Sequence, residues 1–314
     1  MATILATRTS LPQVLCTRPE EQNEMWAGKL RALGLKTVPI PALEIEHFSL
    51  DKCSLVQATQ SSQENHLHAT LDKRLTFASS TSLYKSVVGF NHLIYVSRNA
   101  VTGLAELFKE LPASPPAALK EKTLLTGNSD LRLRHWPVGK MTGQLFDERL
   151  KVFMPGLRMP SPAGMNSASL FEQLKPLLSR DDKVLMIRGK GGLPYLADAL
   201  LRDGIAVDLL EIYQRKAPDD LCKRARNLHT DLQASRAQSI ITAFSGETLT
   251  NLVSAFDQNG VDIRSWLVVV PQERVATLAQ TMGFRSIVQA KNASEQEMLN
   301  STHEAAISHA PIRA

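Results

Sequence analysis

Two cations and three glycines stand together at Arg188-Gly189-Lys190-Gly191-Gly192, directly after the apolar run Val184–Ile187. Backbone N–H groups freed by glycines, beside the start of a helix, suit an anion such as phosphate or carboxylate. The segment Leu193–Arg202 then repeats Leu196, Ala199 and Leu200 at helical spacing, and a second apolar strand, Ala206–Tyr213, follows the loop at Asp203-Gly204. Strand, glycine turn, helix and strand make a βαβ unit. Its cations sit at the carboxyl end of the first strand, where open α/β sheets bind ligands. The spacing is neither G-x-G-x-x-G nor G-x-x-x-x-G-K-[ST], so neither nucleotide fingerprint is met. The competing reading is a tight turn with solvated charges.

The same placement recurs along the chain. Ser97, Thr142 and Ser245 each follow an apolar strand, and Gly246 comes next after Ser245. A hydroxyl there, with the next backbone N–H groups, can hold a carboxylate. It can equally cap a helix, and a capped helix start is itself an anion site. Arg18, Arg98, Lys140, Arg188 and Lys190 all fall at predicted carboxyl ends of strands. Facing one cleft they would form a positive field for a polyanion, and scattered they would be a solvated rim. No serine has a His-and-acid partner in sequence that suggests a hydrolase triad. The eight histidines form no ligand cluster, so no metal site is expected.

The elements that must position these residues look like one design used twice. Val14–Pro19 is a strand ending in Arg18, followed by a helix from about Glu20 to Leu33 that stops at Gly34. Leu93–Asn99 is a strand ending in Ser97 and Arg98, then a helix through Leu107. Ile240–Thr248 repeats that plan, with Leu249, Leu252 and Val253 as the helical face. Pro137–Thr142 and Val268–Arg274 are two further strand-to-turn segments. Strands alternating with helices argue for parallel, doubly wound sheets, and the duplication favours two small sheets over one. The proline-marked stretch Thr37–Ile45 and the stretch Leu209–Arg215 read as extended crossings between lobes. The first lobe is then discontinuous, 14–38 plus about 216–300. The second covers 39–215, with linker strands at about 39–46 and 209–215. Residues 1–13 and 301–314 read as tails, the latter without periodic signal, and 54–91 and 112–135 read as surface insertions.

Composition narrows the function. With 43% hydrophobic and 21% charged residues the chain has the balance of a soluble globular protein. Its net charge of +5 is scattered and aromatics are only 5%, so nucleic acid is excluded in favour of an acidic small molecule. Cys16, Cys53 and Cys222 show neither disulfide nor metal spacing, which points to a reducing, cytoplasmic setting. No uncharged apolar run reaches the roughly 18–20 residues of a membrane span.

Taken in order, these residues resemble the uroporphyrinogen-III synthase family over about 14–300. The resemblance rests on Leu15-Cys16-Thr17-Arg18-Pro19 with Gln22 and Gly34, Tyr95-Val96-Ser97-Arg98-Asn99-Ala100-Val101, and Val138-Gly139-Lys140-Met141-Thr142. It continues through Arg188-Gly189-Lys190-Gly191-Gly192, Tyr213-Gln214-Arg215, Phe244-Ser245-Gly246-Glu247 and Arg274-Val275-Ala276 before Gly283-Phe284. The chain departs at Leu193, where bacterial members often carry Arg, at Pro271, where many have Ser or Gly, and by an insertion before Asn91.

The resemblance implies an α/β fold of two flavodoxin-like doubly wound parallel-sheet lobes joined by a two-stranded β-ladder, with the site in the cleft between them. It implies a cofactor-free reaction in which hydroxymethylbilane, an octacarboxylate linear tetrapyrrole, closes to uroporphyrinogen III with loss of water and inversion of ring D. Such a site needs many anion contacts and one acid for the departing hydroxide. Otherwise it must chiefly orient a flexible substrate. The resemblance makes Tyr213 the proton donor. It points to Arg18, Ser97, Lys140, Thr142, Arg188, Gly189, Gly191, Gly192, Ser245 and Gly246 as substrate contacts, and to a soluble monomer. The narrow extended crossings predict few contacts between lobes, so hinge closure is expected. The rival expectations are a two-lobed anion-binding protein without turnover and a catalytically inactive interaction protein of the same fold.

Overall fold

A computed structural model describes residues 12–58, 75–111, 133–154, 156–162, 164–192, 195–235 and 239–308. Contacts divide the chain into two units, one of residues up to Glu44 and from Lys216 on, the other Ile45–Arg215. The chain thus passes between units near the start of one extended strand and the end of another.

In the first unit, short strands alternate with helices. They are β1 (Gln13–Cys16), α1 (Glu20–Ala32), β2 (Lys36–Pro39), α7 (Leu221–Ser235), β10 (Ser239–Thr242), α8 (Gly246–Asp257), β11 (Leu267–Val270), α9 (Glu273–Thr281), β12 (Ser286–Gln289) and α10 (Glu295–Ser308). The sheet runs β12-β11-β10-β1-β2, all parallel, which in chain order is the flavodoxin-like 2-1-3-4-5. Both faces are covered, so successive side chains enter different cores. Leu15, Ile241 and Val268 pack with Leu252 and Phe256, while Val14, Cys16 and Val269 pack with Trp26 and Leu30. Helix α1 stops where expected, because Gly34 takes φ 79° and its N–H bonds back to Arg31.

The second unit contains β3 (Glu44–His47), β4 (Ser54–Gln57), α2 (Ser80–Val87), β5 (His92–Tyr95), α3 (Arg98–Leu107), β6 (Arg134–Pro137), α4 (Lys140–Arg149), β7 (Leu157–Arg158), α5 (Ser167–Leu174), β8 (Lys183–Gly189), α6 (Tyr195–Arg202) and β9 (Ala206–Lys216). The sheet order is β3-β9-β8-β5-β6-β7, with β4 antiparallel on β9. Strands β7, β6, β5, β8 and β9 are parallel, and with the two-residue β7 set aside the rest repeat the 2-1-3-4 order of β2-β1-β10-β11 in the first sheet. Strands β3 and β9, in which the chain passes between units, are hydrogen-bonded neighbours.

Three expectations need correction. Residues 54–91 are not a surface insertion throughout. Leu55 and Val56 pair with β9, and Phe77, Leu83, Tyr84 and Val87 are buried in the core of β5 and α3. Their polar neighbours hid the apolar face. Residues 301–308 of the expected tail belong to α10, which buries Met298, Thr302, Ala305 and Ala306. Small side chains give that face little hydrophobic contrast. Strand β8 runs on through Arg188 and Gly189 rather than ending at Ile187. Residues 1–11, Leu193 and most of 112–135 lie outside the described residues.

His92, at the start of β5, is wholly buried, and its Nδ1 accepts a hydrogen bond of 3.0 Å from the Trp136 indole N–H. Burial lowers its pKa from 6.5 to about 4, against the pull of the Asp182 carboxylate and with help from Arg134. A folded-state pKa below the unfolded one means that the neutral form is favoured by folding. Its contribution is present above pH 6.5 and is lost as pH falls from there toward 4. Unfolding free energies from denaturant titrations should therefore decline between those pH values by on the order of 1–3 kcal/mol from this group. The His92→Asn variant should be weaker at pH 7 but show a flatter decline, and an equal decline in both proteins would rule the group out.

Candidate functional site

The order of the second sheet reverses between β5 and β8, and at such a switch point the loops leaving the carboxyl ends diverge and open a crevice. Ser97 follows β5 and is the N-cap of α3, its Oγ accepting from the Ala100 N–H at 3.3 Å. The same oxygen lies 3.0 Å from the Tyr213 hydroxyl. Tyr213 reaches this point through a β-bulge: Arg188 pairs with Glu211, yet Gly189 pairs with Tyr213, so β9 carries one extra residue. A bulge swings the following side chain relative to the regular pleat. The Tyr213 carbonyl is held by the Lys190 N–H at 2.8 Å. Its ring lies against Gly189, where an added Cβ would come within 2.5 Å of a ring carbon. The ring also meets His47 edge-on, with centroids 6.1 Å apart.

The glycine turn is built from within. Arg188 is only 6% exposed, and its Nε donates to the Gly189 carbonyl at 3.2 Å while an Nη donates to the Gly192 carbonyl. Burial draws its pKa down, opposed by Glu211 and Tyr213. Its guanidinium therefore closes the turn, whereas the sequence pattern places it among five cations facing substrate. Gly191 supplies the turn's positive φ of 69°. Lys190, Gly191 and Gly192 are exposed beyond it. Arg98 and Lys140, the first residues of α3 and α4, are exposed too, and with Lys190 they take part in no ion pair among the described residues. Thr142 is buried in the first turn of α4 and does not cap it, because Gly139 at φ 85° holds the N-cap position.

The first sheet has its own switch point, between β1 and β10. Ser245 caps α8 there, its Oγ accepting from the Thr248 N–H at 3.2 Å. Gly246 beside it leaves room for Leu278, which a Cβ would meet at 2.7 Å. Arg18 is also at this point, but its charge is partnered. It pairs with Glu295 at 2.5 Å, donates to Gln22 at 2.8 Å and lies 4.4 Å above the Phe244 ring. Glu295 also bonds Lys29. Sequence reading could not find Glu295, which lies 277 positions from its partner in a helix with little apolar contrast. It also missed His47, whose neighbours carry no motif.

A shallow cavity of about 420 Å³ is lined by Lys175, Arg180 and Arg202 near the start of β9, the opposite edge from the strand ends above, and its Lys175 is paired with Asp203. Among the described residues no three His, Cys, Asp or Glu side chains are placed to hold a metal ion, and no helix is long and apolar enough to cross a membrane.

Gly189 yields a direct test of the ring contact. The Gly189→Ala variant should lose about 1–3 kcal/mol of stability by overpacking the Tyr213 ring. In a Tyr213→Ala background the same change should cost little. Thermal unfolding of the four proteins measures the coupling, and additive losses would mean that the ring is not the obstacle.

The family model described as uroporphyrinogen-III synthase HemD matches residues 24–300. The uroporphyrinogen-III synthase of Salmonella typhimurium is 34% identical over 121 residues, 37% of this chain and 47% of that protein, so the match spans about half the length of the relative. In fold, the chain is similar to uroporphyrinogen-III synthetase from Helicobacter pylori, with a TM-score of 0.52 at 18% identity over 95% of this chain and 99% of that one. It is similar also to a mutant uroporphyrinogen III synthase from the extremely thermophilic bacterium Thermus thermophilus, with a TM-score of 0.50 at 14% identity and the same coverage. A family match over most of the chain, on parallel sheets whose switch points carry the motif residues, makes this chain a member of the uroporphyrinogen-III synthase family.

Proposed function

We propose that this protein is a uroporphyrinogen-III synthase, a cyclising lyase of tetrapyrrole synthesis. It converts hydroxymethylbilane to uroporphyrinogen III with loss of water and inversion of ring D, as a cytoplasmic monomer. The observation that carries the reading is the Tyr213 hydroxyl, set by the bulge against Gly189 and bonded to Ser97 at a switch point. The reaction needs one donor where hydroxide departs, and a phenol is the acidic group that this arrangement offers. Around it, Ser97, Gly189, Gly191, Gly192 and Lys190 lie on the turns leaving β5 and β8, and Lys140 begins the helix after β6. Exposed Arg98, Lys140 and Lys190, with capped helix starts, suit the carboxylates of the substrate. Ser245 and Gly246 supply the equivalent capped start in the other unit. Arg188 acts through the turn that it closes, and Arg18 through Glu295 and Phe244.

The chemistry that follows is mainly positional. Donation from Tyr213 to the departing hydroxide releases water and leaves a cationic azafulvene and a phenolate, which takes back the proton shed when ring closure restores the pyrrole. The folded substrate then brings the substituted carbon of ring D, rather than the free one, into reach. Spontaneous closure gives the unflipped isomer, so the isomer ratio reports on the protein.

Fresh hydroxymethylbilane, followed by oxidation and separation of the porphyrins, should give the type III isomer. Type I product alone from folded protein would favour an anion-binding or inactive relative. Tyr213→Phe should lower kcat roughly ten- to several-hundredfold, the weak end of what a positioned acid contributes, with KM little changed. Raising ionic strength should weaken apparent affinity as the screening length shortens, and Lys140→Ala and Lys190→Ala should reduce the slope of that dependence. Affinity indifferent to salt would shift the contacts to backbone amides.

A further inference from the structure

We infer that Ser97 is a positioning residue that sets the direction of the Tyr213 hydrogen, rather than a substrate contact. This rests on the reading of Tyr213 as the proton donor. A hydroxyl has one hydrogen to give and two lone pairs. The Ala100 N–H can only donate, and it donates to the Ser97 oxygen at 3.3 Å. The remaining polar neighbour of that oxygen among the described hydrogen bonds is the Tyr213 hydroxyl at 3.0 Å. Either hydroxyl can give the hydrogen of this bond, and the one that gives it leaves the other's hydrogen uncommitted. A hydroxyl that already accepts is also polarised into a better donor. In the inferred arrangement the hydrogens run from the Ala100 N–H through Ser97 to the Tyr213 oxygen. The phenol hydrogen is left uncommitted, free for the hydroxide that leaves the substrate. The chain starts at the first turn of α3, whose partial positive charge favours the electron density that Tyr213 gains as it gives up its proton.

Tyr213 could not hold this bond without the features around it. The bulge places its ring, Gly189 leaves space for the ring, and the Lys190 N–H holds its carbonyl. Among the described hydrogen bonds, Ser97 is the partner of the Tyr213 hydroxyl. Removing the serine hydroxyl would leave the phenol free to rotate or to bond water, at a cost in rate and not in binding.

The test uses the full chain and hydroxymethylbilane. Glycine is nearly as good an N-cap as serine, so Ser97→Gly removes the hydroxyl with little loss of helix stability. It should lower kcat about five- to thirtyfold, roughly the worth of one hydrogen bond, and leave KM within about twofold. Ser97→Thr, which keeps both cap and donor, should restore most of kcat. In a Tyr213→Phe background Ser97→Gly should cost nothing further, because there is no phenol hydrogen left to direct. If Ser97→Gly proves unstable, Ser97→Asp keeps the cap but has no hydrogen to give, and kcat at saturating substrate should fall likewise. A raised KM with kcat intact, or losses that multiply with those of Tyr213→Phe, would overturn the inference and make Ser97 an independent substrate contact. If Tyr213→Phe itself keeps full turnover, the donor assignment fails, and that outcome is read without any Ser97 variant.

Discussion

The contact on which the rest of the second unit depends is the Tyr213 ring lying against the bare backbone of Gly189. Two parallel strands bring these residues side by side only because β9 carries one extra residue between Glu211 and Tyr213. A regular pleat would put Tyr213 on the opposite face from Ile212, with Leu209, whereas here both pack in one buried cluster with Leu210. The bulge instead leaves the hydroxyl beside the start of α3. A Cβ at Gly189 would close the space that the ring needs. Bulge, glycine and hydroxyl pair are thus one device, and each part is idle without the others.

Charge is arranged around that device in two classes. Arg188 and Arg18, the cations most prominent in the motifs, are held internally: one closes the glycine turn through two carbonyls, and the other joins Glu295, Gln22 and the face of Phe244. A buried guanidinium must have its donors satisfied, and these partners do so. Arg98, Lys140 and Lys190 are exposed and remain available to a solute. Of the five motif cations, two thus shape the loops and three stay exposed. An Arg-to-Ala change in the first class would alter backbone positions as well as charge.

Both units use the same arrangement of parallel strands around a switch point, and in both a serine caps the helix that starts there. Ser97 and Ser245 accept from the N–H three residues on, at 3.3 and 3.2 Å. They differ in what sits beside the serine. Ser245 shares its second bond with Thr248 of its own helix, so it is locally closed. Ser97 shares its bond with a tyrosine 116 positions away, so a local cap becomes part of a longer hydrogen-bond chain.

Alternation of apolar strands with amphipathic helices was enough to read two doubly wound sheets, because period and turn chemistry are local properties of the chain. Helix starts at Ser97 and Ser245 and the stop at Gly34 were legible for the same reason. The packed roles of 75–91 and of α10 were not, since burial there comes from small or interrupted apolar sets such as Ala305, Ala306 and Leu83. Nor could spacing reveal the bulge, the Ser97–Tyr213 bond or the capture of Arg18 by Glu295. Each joins residues far apart in the chain, at a distance set by strand order and register. Residue types determined what chemistry was possible, and tertiary pairing decided which hydroxyl faces which, because only a folded sheet brings the carboxyl ends of its strands together.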